Sequence, residues 1–197
     1  MMKLLVRSFL MVNLNDLIQI HENALPKDLC NILIELFENN PDYHERIDNY
    51  KKPNFTQFNL TEATNYSQDV SELHRQVMFN LHEYLLQYYA LIDRRCFPKE
   101  HQHGFEQVRI KKYKNDGNDM FDTHVDVQDH MTSRRFISFF WYLNDVAEGG
   151  ETEFVDLTIK PEAGKLVIFP PLWMFPHKGN PPISNDKYLL STYLHYL

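Results

Sequence analysis

The sequence predicts an α+β fold: a jelly roll of short antiparallel strands, with helices supporting one of its sheets. Three observations carry this expectation. Before residue 105 the chain holds two segments with apolar residues at helical spacing. After it come β-branched and aromatic runs, among them RFISFFWYLND, TEFVDLTI, GKLVIFP and KYLLSTYLHYL, separated by the turn signals NDG, EGGE, EAG and GNPP. Finally, 197 residues with 43% hydrophobic and 24% charged side chains suit one sizeable core rather than two. The chain therefore reads as one domain over 1–197, with 1–104 as mainly helical support and 105–197 as the jelly-roll core.

Each element follows from its local pattern. Leu17 to Ile20 alternate as a short strand. Pro26 then opens a helix with Leu29, Cys30, Leu33, Leu36 and Phe37 on one face, and Asn39, Asn40 and Pro41 stop it. A second helix begins near Ser67, with Val70, Leu73, Val77, Leu81, Tyr84, Leu85 and Tyr88 on its apolar side. His74 and His82 fall on its solvated side. Beyond residue 105, VRIKKYK and the runs above supply seven or eight strands with no intervening helix, the mark of an antiparallel double-sheet barrel or sandwich. Trp141, Trp173 and Phe175 are expected to pack in the sheets.

Composition excludes several function classes. A formal net charge of −7 argues against binding driven by nucleic-acid or acidic-membrane electrostatics. The two cysteines, Cys30 and Cys96, make neither a disulfide framework nor a thiolate metal cage, and fit a reducing, cytoplasmic compartment. No apolar run approaches the roughly 18 residues that span a bilayer. Arg7 interrupts the opening apolar stretch, and Asn13, Asn15 and Asp16 follow where the small cleavage-site residues of a secretory leader would stand. No nucleic-acid or membrane partner is expected.

Of the ten histidines, His21, His44, His101 and His103 sit in polar segments, although His101-Gln102-His103 could chelate a metal on an exposed loop. His124-Val125-Asp126 is different. At the start of a short strand, residues i and i+2 share a face, so the imidazole and the carboxylate converge. A third ligand must come from elsewhere, and His177, in WMFPHKGNPP at the end of a later apolar strand, can supply it. Two His and one carboxylate on one face of a metal leave positions open, which suits non-haem Fe(II) and oxygen chemistry. Asp129 and His130 compete locally as ligands. Lys187 opens the last strand, and a lysine buried beside a metal site needs an anionic partner. A dicarboxylate chelating iron at one end and meeting the ammonium at the other would serve.

From about residue 16 onward the chain resembles the prolyl 4-hydroxylase branch of the Fe(II)/2-oxoglutarate dioxygenases. The resemblance rests on HVD at 124–126, RFISFFWYLNDVAEGGETEF at 135–154, KPEAGKLVIF at 160–169, PHKGNPP at 176–182 and KYLLSTYLH at 187–195. The lead-in HENALPKDLCNILIELFE is similar to the family's N-terminal segment. The resemblance implies a double-stranded β-helix in which His124, Asp126 and His177 bind iron and act in catalysis. It implies that Lys187 meets the distal carboxylate of 2-oxoglutarate, that Tyr113 hydrogen-bonds this co-substrate and that Thr152 lines its pocket. It also places His195 near the co-substrate, while Arg135 matches a family arginine that holds the substrate chain. Strand parity sets Lys187, Ser191, Tyr193 and His195 on one face.

The sequence departs from the pattern at Phe121, where prolyl hydroxylases generally carry a tyrosine that contacts the target ring. Tyr188 and Tyr193 stand where the family usually has tryptophans. Phe121 and Tyr193 join Arg135 as the expected substrate-binding residues. The implied activity is a hydroxylase using Fe(II), 2-oxoglutarate and O2, with ascorbate as reductant. A prolyl residue in a protein or peptide is the leading substrate, with a free amino acid or other small molecule as the alternative. A non-catalytic jelly-roll binding protein is the reading from another class. The basic run RIKKYK and Arg134-Arg135 either form solvated strand faces or line an opening for an acidic or phosphate-bearing substrate.

Overall fold

The structure, a computed structural model, describes residues 14–49, 53–90 and 97–197. A 3-10 turn at Leu14–Leu17 leads into strand β1 (Gln19–His21) and helix α1 (Lys27–Glu38). A hairpin of β2 (His44–Asp48) and β3 (Asn54–Asn59) follows, then a short α2 (Leu60–Ala63) and the long α3 (Gln68–Tyr89). The next strands are β4 (His103–Phe105), β5 (Arg109–Tyr113), β6 (Phe121–His124) and β7 (Arg135–Tyr142). The chain continues through β8 (Thr152–Glu153), β9 (Thr158–Ile159), β10 (Leu166–Phe169), β11 (His177–Gly179) and β12 (Lys187–Tyr196).

The strands form two antiparallel sheets, the double-sheet jelly roll the sequence predicts. The major sheet runs β1-β10-β7-β12-β5-β3-β2, with β4 also paired to β12; the minor sheet runs β6-β11-β8-β9. Side-chain alternation builds a core on each side of the major sheet. On the helical side, Leu29, Cys30, Leu33 and Phe37 of α1 and Val77, Leu81, Leu85 and Tyr88 of α3 pack with Ile137, Phe139, Trp141, Leu166, Ile168, Leu190 and Leu194. Between the sheets, the intervening positions Phe140, Tyr142, Val167, Phe169 and Leu189 pack with Phe154, Ile159 and Phe175. Pro26 precedes α1 at the helix-initiating position, and the Ser67 hydroxyl accepts from the Val70 amide to cap α3.

Several local expectations need correction. The N-terminal half supplies β1, β2 and β3 to the major sheet, so it is more than helical support. The β2–β3 hairpin is polar because β2 is an edge strand with little to bury. The first strand is Gln19–His21, with a 3-10 turn over Leu17. TEFVDLTI is a tight hairpin of two strands rather than one, closed by the Phe154 amide donating to the Leu157 carbonyl. His74 is half-buried, its ring bonded to the Thr61 hydroxyl so that α3 clasps α2, whereas His82 is exposed as expected. Trp141 and Phe175 are buried, but Trp173 is 78% exposed on the loop before β11. Arg7, Asn13 and Cys96 lie outside the described residues, and among those residues no helix is long and apolar enough to cross a membrane.

Candidate metal centre

β6 and β11 lie side by side in the minor sheet with His177 directly opposite His124. Cross-strand pairing, rather than position within one strand, therefore brings the imidazoles together, their centroids 4.3 Å apart. Asp126 lies past the end of β6, in the following loop, so the turn aims its carboxylate and not strand parity. His177 likewise begins its own short strand instead of ending β10. The three donor atoms lie within 4.8 Å of one another. His124 Nε2 is 3.6 Å from Asp126 Oδ1 and His177 Nε2 is 3.9 Å from Asp126 Oδ2, too far for direct hydrogen bonds.

The ring orientations explain why these atoms converge. Nδ1 of His124 lies 2.7 Å from the Asp122 carbonyl, and Nδ1 of His177 lies 3.1 Å from the Phe175 carbonyl. A carbonyl only accepts, so each Nδ1 carries the proton and each Nε2 keeps a free lone pair facing the carboxylate. The Phe121 ring stacks on His124 at 3.4 Å, while Phe154 and Phe169 flank His177. Burial pushes the His177 imidazole toward its neutral, ligating form, against the pull of Asp126. Burial alone would raise the Asp126 carboxyl. The neighbouring His124 and His177 rings and the Tyr193 hydroxyl, which donates to Oδ1 at 2.9 Å, outweigh it and hold the carboxyl at about 2. Two imidazoles and one carboxylate with open space beside them fit a divalent iron, which takes the rings in their neutral form. Asp129 and His130 are exposed and stand outside this group; Asp129 is occupied by Thr132. Among the described residues His101 and His103 join no metal-binding group, and His103 is bonded to the Tyr89 hydroxyl.

Lys187 lies across the pocket, 1% exposed. Its ammonium donates to the Gly150 carbonyl at 2.9 Å and the Asn180 carbonyl at 3.4 Å, and sits 4.6 Å from the centre of the Tyr113 ring. Among the described residues it has no ion pair. Burial, only partly opposed by Glu151, lowers it to about 7. Tyr113, Phe121, Thr152 and Tyr193 line the same inner pocket as the triad and Lys187. Thr152 also accepts from the Tyr142 hydroxyl at 2.6 Å.

Two expected site residues lie away from the inner pocket. Arg135 lies outside the inner pocket and lines an outer groove of about 510 Å³ that meets it at Phe121, His124, Asp126 and Tyr193. It is fixed there by Glu106, at 2.7 and 2.8 Å, and stacks over the Tyr193 ring at 4.0 Å. His195 lines neither space; its Nδ1 lies 3.8 Å from Glu106. Eight residues of extended strand separate it from Lys187, about 27 Å, so the shared face does not make a shared pocket. Sequence reasoning missed Glu106, whose role shows only once β7 and the segment before β5 are neighbours. It also left Lys111 undecided between solvent and an opening, although two-residue spacing from Tyr113 puts both on one face. Lys111 lines both the pocket and the groove, and burial lowers its ammonium to about 8.

Comparisons with known proteins agree with this geometry. Among curated proteins, none matches the chain in sequence. The fold is similar to the viral collagen prolyl hydroxylase of Paramecium Bursaria Chlorella virus-1 in its 2OG complex, at TM-score 0.70 and 21% identity, covering 92% of this chain and 97% of that one. It is similar to a Pseudomonas putida prolyl-4-hydroxylase, at TM-score 0.67 and 18% identity over 91% and 92% of the two chains. A third similar structure is a Trichoplax adhaerens prolyl hydroxylase in complex with a peptide fragment of the hypoxia inducible factor oxygen degradation domain, at TM-score 0.68 and 14% identity over 91% and 83%. Residues 108–195 match the family model of the 2OG-Fe(II) oxygenase superfamily, and this segment carries all three metal-facing side chains and Lys187. These residues thus form a 2OG-Fe(II) oxygenase domain, and the protein is a 2-oxoglutarate-dependent dioxygenase that uses Fe(II), 2-oxoglutarate and O2.

Proposed function

We propose that His124, Asp126 and His177 hold the iron, that Lys187 anchors 2-oxoglutarate, and that the enzyme hydroxylates a prolyl residue of a protein or peptide. The observation that carries this reading is a buried ammonium with no ion-pair partner among the described residues, in one pocket with three converging donors. An ammonium so buried is costly unless an anion meets it, and a dicarboxylate fits between it and a metal. When bound, the iron supplies the centre at which O2 is reduced as 2-oxoglutarate becomes succinate and CO2 and a substrate C–H becomes C–OH.

The chain's own contributions are positional. The Asp122 and Phe175 carbonyls orient the imidazoles, and the Tyr193 hydroxyl steadies Asp126. Tyr113 and Thr152 wall the co-substrate pocket, and Phe121, Phe154 and Phe169 keep water away from the reacting atoms. The outer groove has room for an extended peptide, and Phe121 offers a flat apolar surface at its junction with the pocket. The similar structures named above are prolyl hydroxylases, one of them with a peptide, which favours this substrate class. The two-cysteine composition, with Cys30 buried as a free thiol, supports a reducing compartment such as the cytoplasm.

The purified protein with Fe(II), ascorbate and 2-oxoglutarate should form succinate. Proline-containing peptides should stimulate it and gain the mass of one oxygen atom. Stimulation by free amino acids alone, with every peptide unchanged, would move the assignment to small molecules. No succinate under any condition would remove it.

A further inference from the structure

Lys111 faces the site from β5, two residues closer to the groove than Tyr113. Tyr113 is paired with Lys187 and Lys111 with Leu189, so the two lysines stand in different rows, about 7 Å apart along the strands. Lys187 lines only the inner pocket, whereas Lys111 lines the pocket and the outer groove together. The other charged groups around Lys111 are Arg109, Arg135, Glu106, Asp126, Asp129 and Glu45. Each carboxylate among them is already engaged: Asp126 with the metal position and Tyr193, Glu106 with the Arg135 guanidinium, Asp129 with the Thr132 amide and hydroxyl, and Glu45 with the Gln57 amide at 2.6 Å. Lys111 itself contacts the Phe55 ring, 5.1 Å from its centre, and among the described residues makes no ion pair. A cation held over an aromatic ring at the junction of pocket and groove, without a counter-ion of its own, is a receptor for an anion that arrives with the substrate.

We propose that Lys111 binds a carboxylate of the oxidised substrate, so that the enzyme selects molecules carrying that anion close to the carbon it hydroxylates. The inference rests on the oxygenase reading above and names its substrate class. A carboxylate fits better than a phosphate, because Asp126, Glu106 and Glu45 surround the same space and repel a dianion more strongly. The carboxylate can come from a free amino acid or chain end, or from an acidic side chain flanking proline.

Substrate pairs that differ only in this charge test the proposal: L-proline against L-prolinamide, a proline-terminated peptide acid against its amide, and internal Pro-Glu against Pro-Gln peptides. The wild-type enzyme should show a KM roughly tenfold lower for the carboxylate member, and the pair that shows it identifies the source. Lys111→Met should bring the two KM values within about twofold, and Lys111→Arg should restore the preference, with kcat on the neutral member moving less than KM on the charged one. Equal KM values in the wild type, or a preference that survives Lys111→Met, would overturn the assignment of Lys111 and leave the oxygenase reading standing. An absence of succinate from the wild type with every probe would overturn both.

Discussion

Both metal-facing imidazoles are aimed by a backbone carbonyl two residues upstream, Asp122 for His124 and Phe175 for His177. The same economy governs Lys187, whose ammonium is held by two carbonyls and an aromatic face instead of a carboxylate. This arrangement has a pH signature. Burial lowers the Lys187 ammonium from 10.5 to about 7, so between those values the unfolded chain binds a proton that the folded protein does not. Its contribution to stability therefore rises with pH across that window and is least favourable below 7. A carboxylate ligand needs the charged form, so 2-oxoglutarate affinity should fall about tenfold per pH unit above 7. Calorimetric titration with 2-oxoglutarate from pH 6 to 9 should show this decline. Lys187→Arg should flatten the slope, and Lys187→Met should lose affinity by roughly 10- to 100-fold while still loading iron. A Lys187→Met protein that loses iron as completely as it loses 2-oxoglutarate would show that the lysine acts on the metal site itself.

At the scale of elements, β12 joins the helical core, the co-substrate pocket and the groove, because alternate residues along its length face opposite sides. The shared face of Lys187, Ser191 and Tyr193 was legible in the sequence for this reason: periodicity of two holds along an unbroken strand. Arg135 was not legible in the same way. Leu194 pairs with Ile137 but His195 pairs with Arg135, so β7 carries an extra residue at Phe136. The bulge leaves Phe136 with the helical core and turns Arg135 toward the groove, a change that hydrophobic pattern does not report. The turn between β7 and β8 is a second such device. Gly149 has φ 75°, and a Cβ there would lie 2.5 Å from the Pro181 carbonyl oxygen. Gly149→Ala should cost about 1–3 kcal/mol in denaturant unfolding. It should also raise the KM for 2-oxoglutarate, because the next carbonyl, that of Gly150, holds Lys187. Unchanged stability and KM would mean that the turn adapts without moving its carbonyl.

Across the whole molecule, the helices and inner strands of the major sheet were legible because they bury large apolar faces: Leu33, Val77, Leu81, Trp141 and Leu190 are all fully enclosed. The β2–β3 hairpin, with its polar edge strand, left a weaker trace. The identities of His124, Asp126 and His177 were legible as ligand chemistry, but their convergence was not. It depends on the pairing of β6 with β11, strands more than fifty residues apart that make no local signal of each other. The fold's task is to hold that pairing rigid against the core between the sheets while the groove stays open beside it.

Anaerobic equilibrium dialysis tests this pairing most directly, comparing the wild type with His124→Ala and His177→Ala against Fe(II), with and without 2-oxoglutarate. One iron per chain should bind to the wild type, with one 2-oxoglutarate retained only when the metal is present, and neither histidine variant should hold iron at the same concentration. Iron retained in full by both variants, or 2-oxoglutarate bound equally well without metal, would contradict the account.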